Sequence, residues 1–142
     1  MSESPSSPAG VVRSYLAAFD RADPDEIAAH VSDDFVNEHT AALGRGCVGR
    51  EEYRSRLPEF LSSMPGLHYE VEAVVARGET VAVFYTMTGR WQGARDFTVR
   101  GAQRLVVRDG LITHRTDYWD SAAFLRQVDD TAATALRGLG MN

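Results

Sequence analysis

The chain has 142 residues, 44% hydrophobic and 25% charged, ordinary values for one globular domain with a core large enough to leave room for a pocket. A net charge of −5, with 15 scattered basic residues, argues against nucleic acid or an anionic membrane as the main partner. All 15 are Arg, and without a lysine amine neither Schiff-base chemistry nor a lysine-anchored pyridoxal cofactor is available.

The opening "MSESPSSPAG" has no basic stretch followed by an apolar one, so residues 1–8 read as a disordered leader of a cytoplasmic protein. Val11, Val12, Tyr15, Leu16 and Phe19 then recur at helical spacing and place Tyr15 on an apolar helix face. "ADPDEI" opens a second helix, with Asp23 as N-cap, Pro24 in the first turn and Glu26 spaced for a capping box. Ile27 and Val31 would carry its buried stripe.

"FVN" follows as a short strand leading into Asn37, Glu38 and His39. Alternation puts Asn37 and His39 on one face and Glu38 on the other. This strand end is either simply hydrated or a base and hydrogen-bond pair at the mouth of a cavity, since neutral imidazole accepts a proton near pH 7. Gly44, Gly46 and Gly49 match a dinucleotide-binding spacing, but the strand and βαβ unit that motif requires are missing, so they read as a pocket-rim loop. Cys47 reads as a small, half-buried residue, and being the only cysteine it forms no internal disulfide.

Tyr53, Leu57, Phe60, Leu61 and Met64 mark a third helix, which Pro58 would bend and Pro65-Gly66 would stop. Beyond it "LHYEVEAVVA", "TVAVFYTMTG", "DFTVRGAQRLVV" and "LITHRTDYWD" are β-branched and aromatic runs separated by short turns, which demand antiparallel pairing. Gln103 falls on the apolar face with Leu105 and Val107, where its amide needs partners that the protein or a polar ligand must supply. Asp117 aligns with Arg115 and Trp119, so it is either a desolvated acid/base group or the partner of Arg115, and Asp120 suits an N-cap. "SAAFLRQV" adds a turn or two of helix, and the rest is a weakly patterned tail.

The expected organisation is a leader at 1–8, one domain at 9–128 and a tail at 129–142. Its class is α+β: a curved antiparallel sheet wrapped around N-terminal helices to form a cone-shaped pocket, a cystatin-like α+β barrel. No two histidines have metal-ligand spacing and no serine sits in a nucleophile elbow, so neither a metal nor a serine triad is expected.

From Val11 to Gln127 the chain resembles the nuclear transport factor 2-like superfamily. "VVRSYLAAFDRADPDEIAAHVSDDFVNEHT" is similar to the start of ketosteroid isomerases, and "DGLITHRTDYWDSAAFLRQV" to the end of SnoaL-like polyketide cyclases and limonene-type epoxide hydrolases. Tyr15 matches the isomerases' oxyanion-hole tyrosine, whereas His39 stands at their base aspartate and Gly101 at their protonated acid. Asp117 matches the cyclases' acid/base aspartate, while Gly101 and Gln103 occupy the positions of their inward Gln and His. Epoxide hydrolysis is disfavoured, because "VAVFYTM" lacks the charges which that chemistry places on the corresponding strand.

Together the resemblance and the residues imply a cofactor-independent cyclase or isomerase acting on a hydrophobic carbonyl compound. Asp117, His39 and Tyr15 would be catalytic. Asn37, Gln103, Trp119, Phe84 and Phe60 would contact the substrate. A non-catalytic ligand-binding or association domain is the alternative, and a homodimer through the outer sheet face is expected in either case.

Overall fold

Ser7 and Pro8 set where the first helix begins. The Ser7 hydroxyl accepts from the Gly10 N–H, and Pro8 brings a helical φ without an amide that would go unbonded. In the computed structural model, which describes residues 3–141, this helix α1 (Pro8–Ala18) buries Val11, Val12, Tyr15 and Leu16, the stripe that the spacing predicts. Ahead of it, within the expected leader, the Ser7 N–H bonds the Ser4 carbonyl and Arg13 pairs with Glu3.

Asp23 caps α2 (Pro24–Ala28) through the Asp25 N–H, but Glu26 pairs with Arg21 rather than closing a capping box. Because α2 stops at Ala28, Val31 is not on its stripe: it opens β1 (Val31–His39), a strand much longer than "FVN" suggests. The edge strand β2 (Cys47–Val48) leads to α3 (Arg50–Ser63), which carries Pro58 within it and buries Tyr53, Leu57 and Leu61.

Four strands follow as expected: β3 (His68–Arg77), β4 (Thr80–Trp91), β5 (Arg95–Arg108) and β6 (Leu111–Tyr118). They form an antiparallel meander within one curved six-stranded sheet, ordered β2-β1-β6-β5-β4-β3. The expected all-antiparallel sheet needs one correction, since β1 lies parallel to β6. Short turns force antiparallel pairing only between neighbours in sequence, and β1 is separated from β6 by α3 and three strands. The sheet also stays open, with β2 and β3 at its edges, so it is not a closed barrel.

Along β6 the pairing with β5 slips at Thr113: Val107 faces Ile112 and Val106 faces His114. An extra residue in a strand reverses which side its neighbours face. Ile112 and Arg115 consequently both point into the core.

Asp120 caps α4 (Ser121–Val128) through the Ala122 and Ala123 N–H groups, as its position predicts. Within α4, the Gln127 amide pairs with both backbone groups of Thr98 and so covers part of β5 that lies beyond the reach of β6. Over the weakly patterned tail the structure has a further helix, α5 (Asp130–Gly138), capped by Asp129 and tied to β5 by two Arg95–Asp130 hydrogen bonds. No helix among the described residues is long and apolar enough to cross a membrane.

Candidate functional site

The parallel pairing of β1 with β6 builds the site. It sets Asn37 opposite Arg115 and His39 opposite Asp117, residues almost eighty positions apart in the chain. Asn37 and His39 share the inner face and Glu38 is turned out towards Thr116 and His114, as strand alternation predicts.

Asp117 is the one buried carboxylate among the described residues. Its Oδ2 accepts from the Arg115 guanidinium at 3.1 Å and its Oδ1 from the Tyr85 hydroxyl at 2.7 Å. Arg115 also donates to the Asn37 side-chain carbonyl at 2.9 Å. Asp117 is thus both turned inward and paired with Arg115.

Tyr85 was not recognisable from its own position, yet its pairing explains it. It lies directly across from Gly101 on β5, and its hydroxyl passes over that glycine to reach β6. A Cβ at position 101 would sit 2.5 Å from the Tyr85 oxygen, so only glycine leaves this path open. Where the isomerases are expected to carry their protonated acid, this chain has a glycine with a tyrosine hydroxyl laid over it.

Around the Arg115–Asp117 pair stand Tyr15, Tyr53, Tyr69 and Tyr85, all buried. Tyr15 and Tyr53 share a short hydroxyl–hydroxyl bond, and the Arg115 guanidinium carbon lies 5.9 Å from the centre of the Tyr15 ring. Burial pushes all four phenols above their usual range, so each keeps its proton at neutral pH. Burial also works against the Arg115 charge, but the surrounding tyrosine and Asp117 oxygens more than offset this and hold it well above the usual guanidinium range.

His39 stands nearer the surface, with 17% of its side chain exposed and its Nδ1 3.9 Å from Asp117 Oδ2. Burial first, and then the Arg115 charge, lower its pKa to about 4, with Asp117 pulling the other way. It is therefore neutral near pH 7. The Trp119 indole N–H donates to Nδ1 at 3.2 Å, and since an indole only donates, the imidazole proton sits on Nε2. Gly44 packs directly on this residue, since a Cβ there would fall 2.2 Å from His39 Cβ. The glycine-rich loop is thus shaped by close contact with the site.

Gln103 points inward opposite Asp117, as its strand parity predicts. Neither of its amide atoms has a protein partner, and the same is true of Arg115 Nε. Trp119 and Phe60 are partly buried at the core boundary. Phe84 does not belong to the site: its neighbours Val83 and Tyr85 face the core, so alternation sends it to the outer face, where it is 45% exposed. Cys47 is half-buried beside Asn37, and burial raises its thiol pKa, as suits an unreactive residue. His68 lies away from the site, bonded to Asp20, whereas His30 is bonded to Ser14 and its ring packs edge-on against Tyr15, with 6.0 Å between the ring centres.

The sequence profile of the SnoaL-like domain family matches residues 12–115. No curated protein has a significantly matching sequence. Among solved structures, the chain is similar to a Catenulispora acidiphila protein of ketosteroid isomerase-like fold, in complex with trimethylamine. They share 22% identity over 87% of this chain and 95% of that one, with a TM-score of 0.79. A putative polyketide cyclase from Xanthomonas campestris pv. campestris is 25% identical over 86% of this chain and 96% of that one, with a TM-score of 0.76. An epoxide hydrolase from M. tuberculosis, described as LEH-like, is 21% identical over 92% of this chain and 96% of that one, with a TM-score of 0.75.

Proposed function

The chain belongs to the SnoaL-like domain family and has a nuclear transport factor 2-like fold, and on that premise we propose that it is an acid/base enzyme requiring no cofactor, acting on a hydrophobic carbonyl compound by ring closure or isomerisation. The observation that carries this reading is Asp117, the one buried carboxylate among the described residues, held by Tyr85 and Arg115 next to a neutral His39. A carboxylate fixed in a buried, tyrosine-lined wall is oriented to remove a proton from carbon and return it elsewhere. The negative charge that then develops on the carbonyl oxygen needs a donor. His39 Nε2–H or the Tyr15 hydroxyl supplies it. Asn37 and Gln103 orient the polar end of the substrate, and Trp119 and Phe60 cover its apolar body.

Epoxide hydrolysis stays disfavoured, since "VAVFYTM" brings no charged group to the site and Asp117 is the one buried carboxylate among the described residues. The test of the acid/base reading is deuterium uptake at the α-carbons of 2-tetralone in D2O, followed by NMR. Asp117→Asn should slow the catalysed exchange by about 10²–10⁴-fold. Unchanged exchange in the folded variant would refute the role of Asp117.

One observation favours a second reading, a binding domain without chemistry. Both Asp117 oxygens already accept a hydrogen bond from the protein, which is how a purely structural pair would be built. On that reading 2-tetralone binds to the wild-type chain without any catalysed exchange. We further propose a homodimer through the outer sheet face, where Phe84, Val75 and Tyr118 are exposed. Light scattering should give a dimer mass that Phe84→Asp halves; a wild-type monomer would remove the proposal.

A further inference from the structure

Gln103 poses a problem that the acid/base reading leaves unsolved. It sits in the middle of the sheet, between Val83 on β4 and Asp117 on β6, with 1% of its surface exposed. Among the described residues neither its Oε1 nor its Nε2 has a hydrogen-bond partner, and Arg115 Nε, one diagonal step away on β6, is likewise unpartnered. Each buried polar group left unbonded costs stability, and a leucine or methionine would fill the same space without that cost. The amide therefore serves something outside the chain's own hydrogen-bonding.

Charge narrows what that can be. Arg115 is the only buried cation and Asp117 the only buried anion among the described residues, and they bond to each other. The four surrounding phenols and His39 are neutral at pH 7. A ligand ion pushed into this wall would find no free counter-charge, and an uncompensated buried charge is far more costly than an unbonded amide. What the wall does offer is two donors, Gln103 Nε2 and Arg115 Nε, beside one acceptor, Gln103 Oε1.

Resting on the reading of this site as a pocket for an apolar carbonyl compound, we infer that Gln103 and Arg115 Nε select a ligand whose inner end is uncharged and carries a hydrogen-bond donor next to an acceptor. An enol or hydroxyl beside a carbonyl has this edge, and so does a carboxamide. A carboxylate lacks the donor and adds a charge. A simple ketone lacks the donor, and an ammonium lacks the acceptor.

The test is calorimetric titration of the full chain at pH 7 with naphthalene-2-carboxamide, 2-acetonaphthone and naphthalene-2-carboxylate, which share one apolar body. The carboxamide should bind at least about tenfold more tightly than either of the others. Gln103→Met should abolish that preference by bringing the carboxamide's affinity to within about twofold of the ketone's in the same variant, and Gln103→Leu repeats the experiment in case the first variant folds poorly. Both variants should unfold at the wild-type temperature or above it, because they remove an unbonded amide. Tightest binding of the carboxylate would overturn the inference, as would a carboxamide preference that survives both substitutions. A loss of stability in both variants without any change in binding would also overturn it, since the amide would then be satisfied by a structural water. If none of the three probes binds, the acid/base reading of the pocket falls together with this inference, whereas binding in a different order removes this inference alone.

Discussion

On the inner face of β6, Arg115 and Asp117 are both about 95% shielded; beyond their mutual bond Arg115 donates to Asn37, Asp117 accepts from Tyr85, and Arg115 Nε stays unpartnered. On the outer face of the same sheet Arg100 holds Glu72 and Arg108 holds Glu79, with both arginines largely in water. The residue types are alike and the separations similar. What differs is the medium. In water an ion pair gains little over two hydrated ions, and salt screens it further. In the wall each charge has lost its hydration, so each depends on the other and on every neighbouring donor. The inner pair is therefore poor evidence of stabilisation and good evidence of a site.

This contrast can be broken most sharply at Arg115. Arg115→Met strands a buried carboxylate and should destabilise the chain by about 3–5 kcal/mol in urea unfolding, while adding Asp117→Leu should recover most of that loss. A single variant as stable as wild type would mean that the Asp117 carboxylate does not depend on Arg115.

Next in size is the pH dependence arising from His39. Its folded pKa is depressed to about 4, below the usual 6.5, so above pH 6.5 the imidazole is neutral in both states and its contribution is complete. As pH falls from 6.5 towards 4 the unfolded chain takes up this proton and the native chain does not, so stability drops, by on the order of 2–3 kcal/mol. His39→Gln should flatten this part of the stability profile, and an unchanged slope would show that other groups produce it.

Gly101→Ala sharpens the geometry of the inner face. Its new methyl would fall 2.5 Å from the Tyr85 oxygen and 2.8 Å from the Tyr118 carbonyl oxygen, so something must move. Overpacking of this kind costs about 1–3 kcal/mol. Combining it with Tyr85→Leu should cost less than the sum of the two single changes, as read from chemical denaturation; simple additivity would mean that the two residues do not meet. Smallest of all is the outer face, where Arg100→Ala should leave the urea midpoint within experimental error.

Asp117 and Gln103 show how far the sequence alone could go. Gln103 stood out as a polar residue on a strand whose other inward positions were apolar, and Asp117 as a carboxylate within a β-branched and aromatic run beside Arg115; period-two alternation assigned Gln103 its face correctly. The same rule excluded Phe84, whose neighbours Val83 and Tyr85 alternate inward, but choosing an aromatic residue for its chemistry overrode that parity. Tyr85 carried the opposite signal, a hydroxyl on an apolar face, and its role became visible only once Gly101 was known to lie across from it.

By itself the sequence determined the first four helices, the caps at Asp23 and Asp120, the four-strand meander and the inward face of β5. These follow from interactions within a few residues or across one short turn, where spacing is enough. Tertiary structure alone decided that β1 would lie parallel to β6, that the slip at Thr113 would turn both Ile112 and Arg115 inward, and that Tyr85 would reach over Gly101. Those contacts join segments tens of residues apart. Their partners are selected by burying the whole sheet face at once, which no local pattern encodes.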